Sequence, residues 1–155
     1  MPQLKAQFVL GKDLSSWAIS WFGGGGYSHV DLVMPDGGLL GARSDWIKGI
    51  HPGVMIRPPD YEKWKVKTVV AKEVSQLQFD QAIAIAKKQL FKPYDMTAIW
   101  GFATGRDWRN LDEWFCSELL MYVFETAKIV PEIPVKVEKI FPGEALAICA
   151  AAGFE

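Results

Sequence analysis

Hydrophobic positions along the chain change period once, and the change divides it into a strand-rich first half and a helix-rich second half. "AQFVLG" (6–11) reads as a first strand, and "DLSSWAISWFG" (13–23) as a short helix with Asp13 or Ser15 as caps and Gly23 as its stop. "SHVDLVM" and "LLGARS" flank "PDGG", the signature of a hairpin. "GVMIRPP" and "KVKTVVAKEV" are two further strands, the second with Val66, Val69 and Val70 among alternating lysines. From Ser75 the period lengthens, and Leu77, Phe79, Ile83, Ala86 and Leu90 fall near one helical face until Lys92-Pro93 ends the run.

The next segment, "YDMTAIWGFATG", predicts another helix, closed by Gly105. "NLDEWFCSELLMYVFETAK" predicts a strong one, with Asn110 and Glu113 in the spacing of a capping box. "PEIPVKVEKIF" is extended and punctuated by proline. "PGEALAICAAAGF" predicts a last short helix, with Pro142 in its first turn and Gly153 at its C-terminal cap. The expected fold class is α+β, one domain over residues 1–155, without repeats or linkers.

Charge narrows the partners. Seventeen basic residues against eighteen acidic ones, with no basic block, leave no electrostatic footprint for nucleic acid. No run approaches the roughly 18 apolar residues of a membrane span, so no integral membrane segment is expected. The start, "MPQLKAQFVLGKD", lacks the pattern of a secretory signal, and the chain is expected to be cytoplasmic as made, unless another protein carries or releases it.

The four glycines Gly23–Gly26 invite a phosphate-loop reading, but such a loop runs strand, glycines, helix. Here the order is helix, glycines, strand, and no Gly-Lys-Ser/Thr follows. The glycines therefore read as a connector in front of His29. Nucleophile and metal chemistry rests on few residues: His29, His51, Cys116 and Cys149. They lack zinc-site spacing, so neither metal nor cofactor is expected. His51, in "KGIHPGV", reads as a loop histidine, and Cys149 in the Ala-rich final helix as buried and inert.

A strand histidine is by default a structural residue, and a helical cysteine a small hydrophobe. Their contexts together say more. Cys116 falls in the first turns of a helix expected to start near Asn110 or Asp112. There unsatisfied N–H groups and the positive dipole end favour a thiolate and can receive an oxyanion. His29 leads a strand behind side-chain-free glycines. A thiolate at a helix start facing an imidazole on a strand can perform nucleophilic acyl transfer.

"YSHVDLVMPDGG", "KPYD", "WFCSELL" and "FPGEALAICAAAGF", in that order, resemble the permuted papain-like hydrolases, the YiiX-like branch of the NlpC-type cysteine peptidase superfamily. In this branch, which includes lecithin:retinol acyltransferase-like proteins, histidine precedes cysteine, as His29 precedes Cys116. The resemblance implies a small antiparallel sheet or half-barrel packed against helices. It also implies Cys116 as nucleophile, His29 as general base, and a peptide-like or acyl substrate: a cell-wall peptide, an isopeptide or a lipid ester. The segments "LGARSDW" and "IRPPDY" look like those of phage and prophage proteins. Tyr94 of "KPYD" reads equally as a group near the site or as packing after Pro93. Glu118, two residues past Cys116, points away from it as a structural anchor.

The family's histidine-orienting residue stands about twelve positions on, which is Gly41 here. Pairing Met34 with Leu39 across "PDGG" would set Ser44 opposite His29, so Ser44 is the expected substitute. Asp31 shares the face of His29 by strand alternation, and Asp45 lies one residue beyond Ser44. The alternative expectation, supported by the glycine at position 41, is a papain-like fold kept as a non-catalytic binding or structural module of a phage particle.

Overall fold

The computed structural model describes residues 1–12, 26–95, 114–132 and 140–155. The expected helix over 13–23, most of the segment from Tyr94 to Gly105, the Asn110–Glu113 capping box and most of the proline-punctuated stretch lie outside these residues. Among the described residues, five strands form one antiparallel open sheet: β1 (Gln3–Leu10), β2 (His29–Val33), β3 (Leu39–Arg43), β4 (Gly53–Arg57) and β5 (Val66–Glu73), ordered β4-β3-β2-β1-β5. Three helices accompany it: α1 (Gln76–Lys88), α2 (Cys116–Thr126) and α3 (Pro142–Ala151). The α+β expectation holds at this level.

The β2–β3 hairpin sets which side chains meet across the two strands. Its loop has three residues, not four: Met34 N–H donates to the Gly38 carbonyl (2.8 Å) and Gly37 N–H to the Met34 carbonyl (2.9 Å). Gly37 takes φ 87°, open to glycine without a steric penalty. Asp36 Oδ1 accepts from Gly38 N–H at 2.9 Å and braces the turn. Val33 therefore pairs with Leu39 and Leu32 with Leu40, one residue away from the expected Met34–Leu39 register. A slip of one moves every side chain of a strand to the other face. Continued along both strands, the observed register sets Gly41 across from Asp31.

Both edges of the sheet carry further pairing. On β5, Ala71 and Glu155 exchange backbone hydrogen bonds of 2.7 and 2.9 Å. On β4, Phe91 N–H donates to the Val54 carbonyl and Val54 N–H to the Lys92 carbonyl, each at 2.9 Å.

α1 starts where the period changes, at a capping box: Ser75 Oγ accepts from Gln78 N–H, and the Gln78 side chain accepts from Ser75 N–H, both at 3.2 Å. Its buried face is Ala82, Ile83 and Ala86. Leu77, expected on that face, is 67% exposed on the first turn of the helix, ahead of the buried row.

α2 begins at Cys116 rather than near Asn110. The chain just before it is committed elsewhere: Trp114 N–H donates to the Pro93 carbonyl and Asp95 N–H to the Trp114 carbonyl, each at 3.0 Å, an extended pairing that a helix would break. Phe115 is extended too, and the Glu118 carboxylate turns back to accept its N–H at 3.3 Å. Glu118 is buried and caps the helix, so the anchor expectation agrees with the geometry. α2 packs over β2 and β3 and against α1 and α3, burying Leu119, Leu120, Met121, Val123 and Phe124 in the main core. α3 starts at Pro142, and Gly153 (φ 87°) ends it as expected.

Candidate active site

The first residue of β2 and the first residue of α2 meet. His29 opens the strand, Cys116 opens the helix, and the thiol lies close enough to hydrogen-bond the imidazole and to act on its charge. Both are buried, Cys116 to 2% exposure and His29 to 7%. His29 Nε2 contacts Asp31 Oδ1 at 2.7 Å, which leaves Nδ1 as the ring nitrogen for the thiol. Cys116 stands at a helix N-terminus, where free N–H groups and the dipole favour negative charge.

Asp31 is fully buried, and both of its oxygens are engaged. Oδ1 holds His29, and Oδ2 accepts from the Tyr61 hydroxyl at 2.9 Å. Tyr61 in turn accepts from Arg43 Nη1 at 3.3 Å. Arg43 is gripped by Asp45 through two hydrogen bonds (2.8 and 2.9 Å) and by Glu62 at 3.0 Å, with its guanidinium 5.4 Å from the Tyr61 ring centroid. On the next strand, Arg57 donates from Nη1 to the Gly41 carbonyl at 3.0 Å.

Ser44 is not part of this arrangement. It lies exposed in the bend after β3, while Asp31 makes the imidazole contact expected of Ser44. The three-residue hairpin loop is the reason: it withdraws Ser44 from the position opposite His29. Tyr61, Arg43 and Arg57 escaped the sequence reading. The available signal was arginine on two successive strands at positions sharing the His29 face, followed by "PPDY".

Charge inside this cluster fixes protonation. Burial alone would lower the His29 pKa. The charges of Asp31 and Cys116, with their hydrogen bonds, overcome it and raise it from 6.5 to about 9. Burial likewise works against the Asp31 carboxylate, yet the His29 charge and hydrogen bond, the Tyr61 hydroxyl and Arg43 hold it below the ordinary carboxylate range. Burial and then the Asp31 charge push the Tyr61 phenol well up, so it stays a donor. A raised folded-state pKa stabilises fully below the unfolded value of 6.5, and that contribution is lost as pH rises through about 9. The thermal midpoint is accordingly expected to fall between pH 6.5 and about 9. Calorimetry across that window checks it, and His29→Gln should flatten this part of the profile.

Tyr94 lies near the thiol. Burial, followed by the charge on Cys116, raises its pKa, so its hydroxyl is a proton donor within electrostatic reach of Sγ. Its ring packs against Phe115, with centroids 5.9 Å apart. Of the remaining candidates, His51 is exposed, with Nδ1 2.9 Å from the Pro52 carbonyl. Cys149 is fully buried, and burial pushes its thiol up to about 12.

No family model matches the chain, and no curated protein does. Among solved structures, it is similar to the metalloprotein YiiX of Escherichia coli O157:H7, with a TM-score of 0.53 and 19% sequence identity over 88% of this chain and 77% of that one. At that identity the likeness is one of fold. The donor set here does not fit a metal centre. His29 commits Nε2 to Asp31, and among the described residues no three His, Cys, Asp or Glu side chains are grouped to hold an ion. Among them, too, no helix is long and apolar enough to cross a membrane.

Proposed function

We propose that this chain is a single-domain permuted papain-like thiol hydrolase, of the NlpC-type superfamily and of phage or prophage origin, acting on amide or ester bonds through an acyl-Cys116 intermediate. The observation that carries the reading is the meeting of the Cys116 thiol, at the start of α2, with the His29 imidazole, at the start of β2.

The chemistry derives from that pair. The Cys116 thiolate attacks the carbonyl carbon, and the carbonyl π electrons move to oxygen. The Cys116 backbone N–H, at the helix start, and the Tyr94 hydroxyl are the donors for that oxyanion. Collapse expels the amine or alcohol, which takes its proton from the His29 imidazolium. His29, now neutral, accepts a proton from water as the water attacks the thioester, and the thiolate leaves. With His29 titrating at about 9, the imidazolium is the resting form at neutral pH, so the acid for the leaving group is already loaded.

Cell-wall peptides, isopeptides and lipid esters share the acyl group this site would attack; the superfamily and the phage-like segments favour a cell-wall peptide. The rival reading, a catalytically silent module, drew on the missing side chain at position 41. Asp31 lies in that space and contacts His29, which supports the hydrolase reading. A peptidyl acyloxymethyl ketone should give one adduct per chain at pH 7, on Cys116 and not on Cys149, by peptide mass mapping. Labelling of Cys116 no faster than that of free cysteine would overturn the hydrolase reading.

A further inference from the structure

We propose that Asp31 is the positioning residue of His29 and that Gly41 is its berth: the orienting carboxylate comes from the histidine's own strand, housed in space that a side chain at position 41 would occupy. The inference deepens the hydrolase reading, since it concerns the group that aims the proposed base.

Three observations converge. First, Asp31 Oδ1 lies 2.7 Å from His29 Nε2, and residues two apart on a strand share a face. Second, a Cβ built on Gly41 would overlap Asp31 Oδ1 and come within 3.1 Å of its Cγ. Gly41 is not among the residues with positive φ, so backbone freedom does not require glycine there; room for the carboxylate does. Third, β3 cannot retreat freely to make more room. The Gly41 carbonyl is tied to Arg57 Nη1 at 3.0 Å, and Gly41 itself pairs with Met55 on β4.

The remaining Asp31 oxygen is held by Tyr61, so the carboxylate has two fixed partners and one orientation. The charged and titratable groups facing His29 are then Asp31 on its own strand, Cys116 on α2, and Tyr61 with Arg43 and Arg57 behind Asp31. A carboxylate stabilises imidazolium where a serine would only orient it. The two strands thus exchange roles: the small residue moves to β3 and the acid to β2.

The test reads His29 directly and needs no substrate. The chain has two histidines, and His51 is exposed, so ¹³C-histidine NMR titration resolves both in the intact protein. Four proteins are compared: wild type, Asp31→Asn, Asp31→Gly, and the exchange variant Asp31→Gly/Gly41→Asp. Wild-type His29 should titrate near 9. The isosteric Asp31→Asn should lower that midpoint by about one pH unit or more, and Asp31→Gly likewise. The exchange variant should recover part of the loss, which a merely structural role for Asp31 would not predict.

The proposal is overturned if Asp31→Asn titrates where wild type does, or if the exchange variant behaves like Asp31→Gly. If Asp31→Gly does not fold, the Asn comparison alone decides. Should His29 respond as expected while Cys116 remains unlabelled by the ketone, the positioning role stands and the hydrolase reading fails.

Discussion

Truncating His29 to alanine is expected to slow acylation of Cys116 by about 10²–10⁴-fold, the largest effect of any single change outside the nucleophile itself. Lost partners are the cause. Cys116 and His29 are both shielded from bulk water, so solvent cannot readily replace the imidazole as proton carrier. The truncation also takes a partner from Asp31, whose buried Oδ1 would lose its 2.7 Å contact and leave the carboxylate with Tyr61 and the nearby arginines alone. His29→Gln separates the two effects: it keeps a hydrogen-bonding side chain but removes the titrating one. Pre-steady-state labelling rates across pH 5–10 for wild type, His29→Ala and His29→Gln provide the measurement. Combined with Cys116→Ser, the losses should be strongly non-additive, because the pair acts as a unit. Equal labelling of wild type and His29→Ala would sink the dyad.

Phe124→Ala is expected to destabilise the fold by about 3–5 kcal/mol. Phe124 is fully buried on α2 and stacks on Phe154, ring centroids 5.1 Å apart and 19° from parallel. Its backbone carbonyl also accepts from Ile129 N–H at 2.8 Å, closing the C-terminal turn of α2. The alanine variant loses the transferred apolar surface and leaves a cavity between α2 and the chain's final turn. Against a typical total of about 5–15 kcal/mol, that is a large share, and a thermal midpoint lower by on the order of 10 °C is expected for a domain of this size. Urea unfolding should show a reduced midpoint with unchanged slope. Leu77→Ala, at a residue 67% exposed, is the control and should shift stability by less than about 0.5 kcal/mol. Comparable losses for the two variants would contradict the core assignment.

Among the described residues, local pattern was enough to read the strands and the three helices, and non-local geometry decided the rest. His29 and Cys116 stood out because each sits at the start of an element, and strand alternation already put Asp31 on the His29 face. "PDGG" suits a three-residue loop as well as a four-residue one. The choice depends on whether Gly38 joins the ladder, and that choice selects Ser44 or Asp31. The start of α2 was displaced for a similar reason. Asn110 and Glu113 carry a capping pattern, but Trp114 is held extended by Pro93 and Asp95, partners about twenty residues earlier. Nothing local in the sequence marks Arg43 and Arg57 for burial, since arginine is seldom buried without partners. Only folding brings Tyr61, Asp45 and the Gly41 carbonyl to them.

The edge pairing of the sheet bears on how a peptide substrate could approach. Many peptide-binding domains accept a ligand as an extra strand along an open sheet edge. Here Glu155 pairs with Ala71 toward the end of β5's outer edge, and residues 91 and 92 pair with Val54 on β4's edge beside Gly53. At Ala71 and at Val54 a guest chain would have to displace the protein's own backbone to dock in that manner. His29, the end of β3 and the start of β4 all lie at one end of the ladder, next to Cys116. On the proposed hydrolase reading, a substrate would reach the thiol at that end of the ladder, and its specificity would be sought among the side chains there.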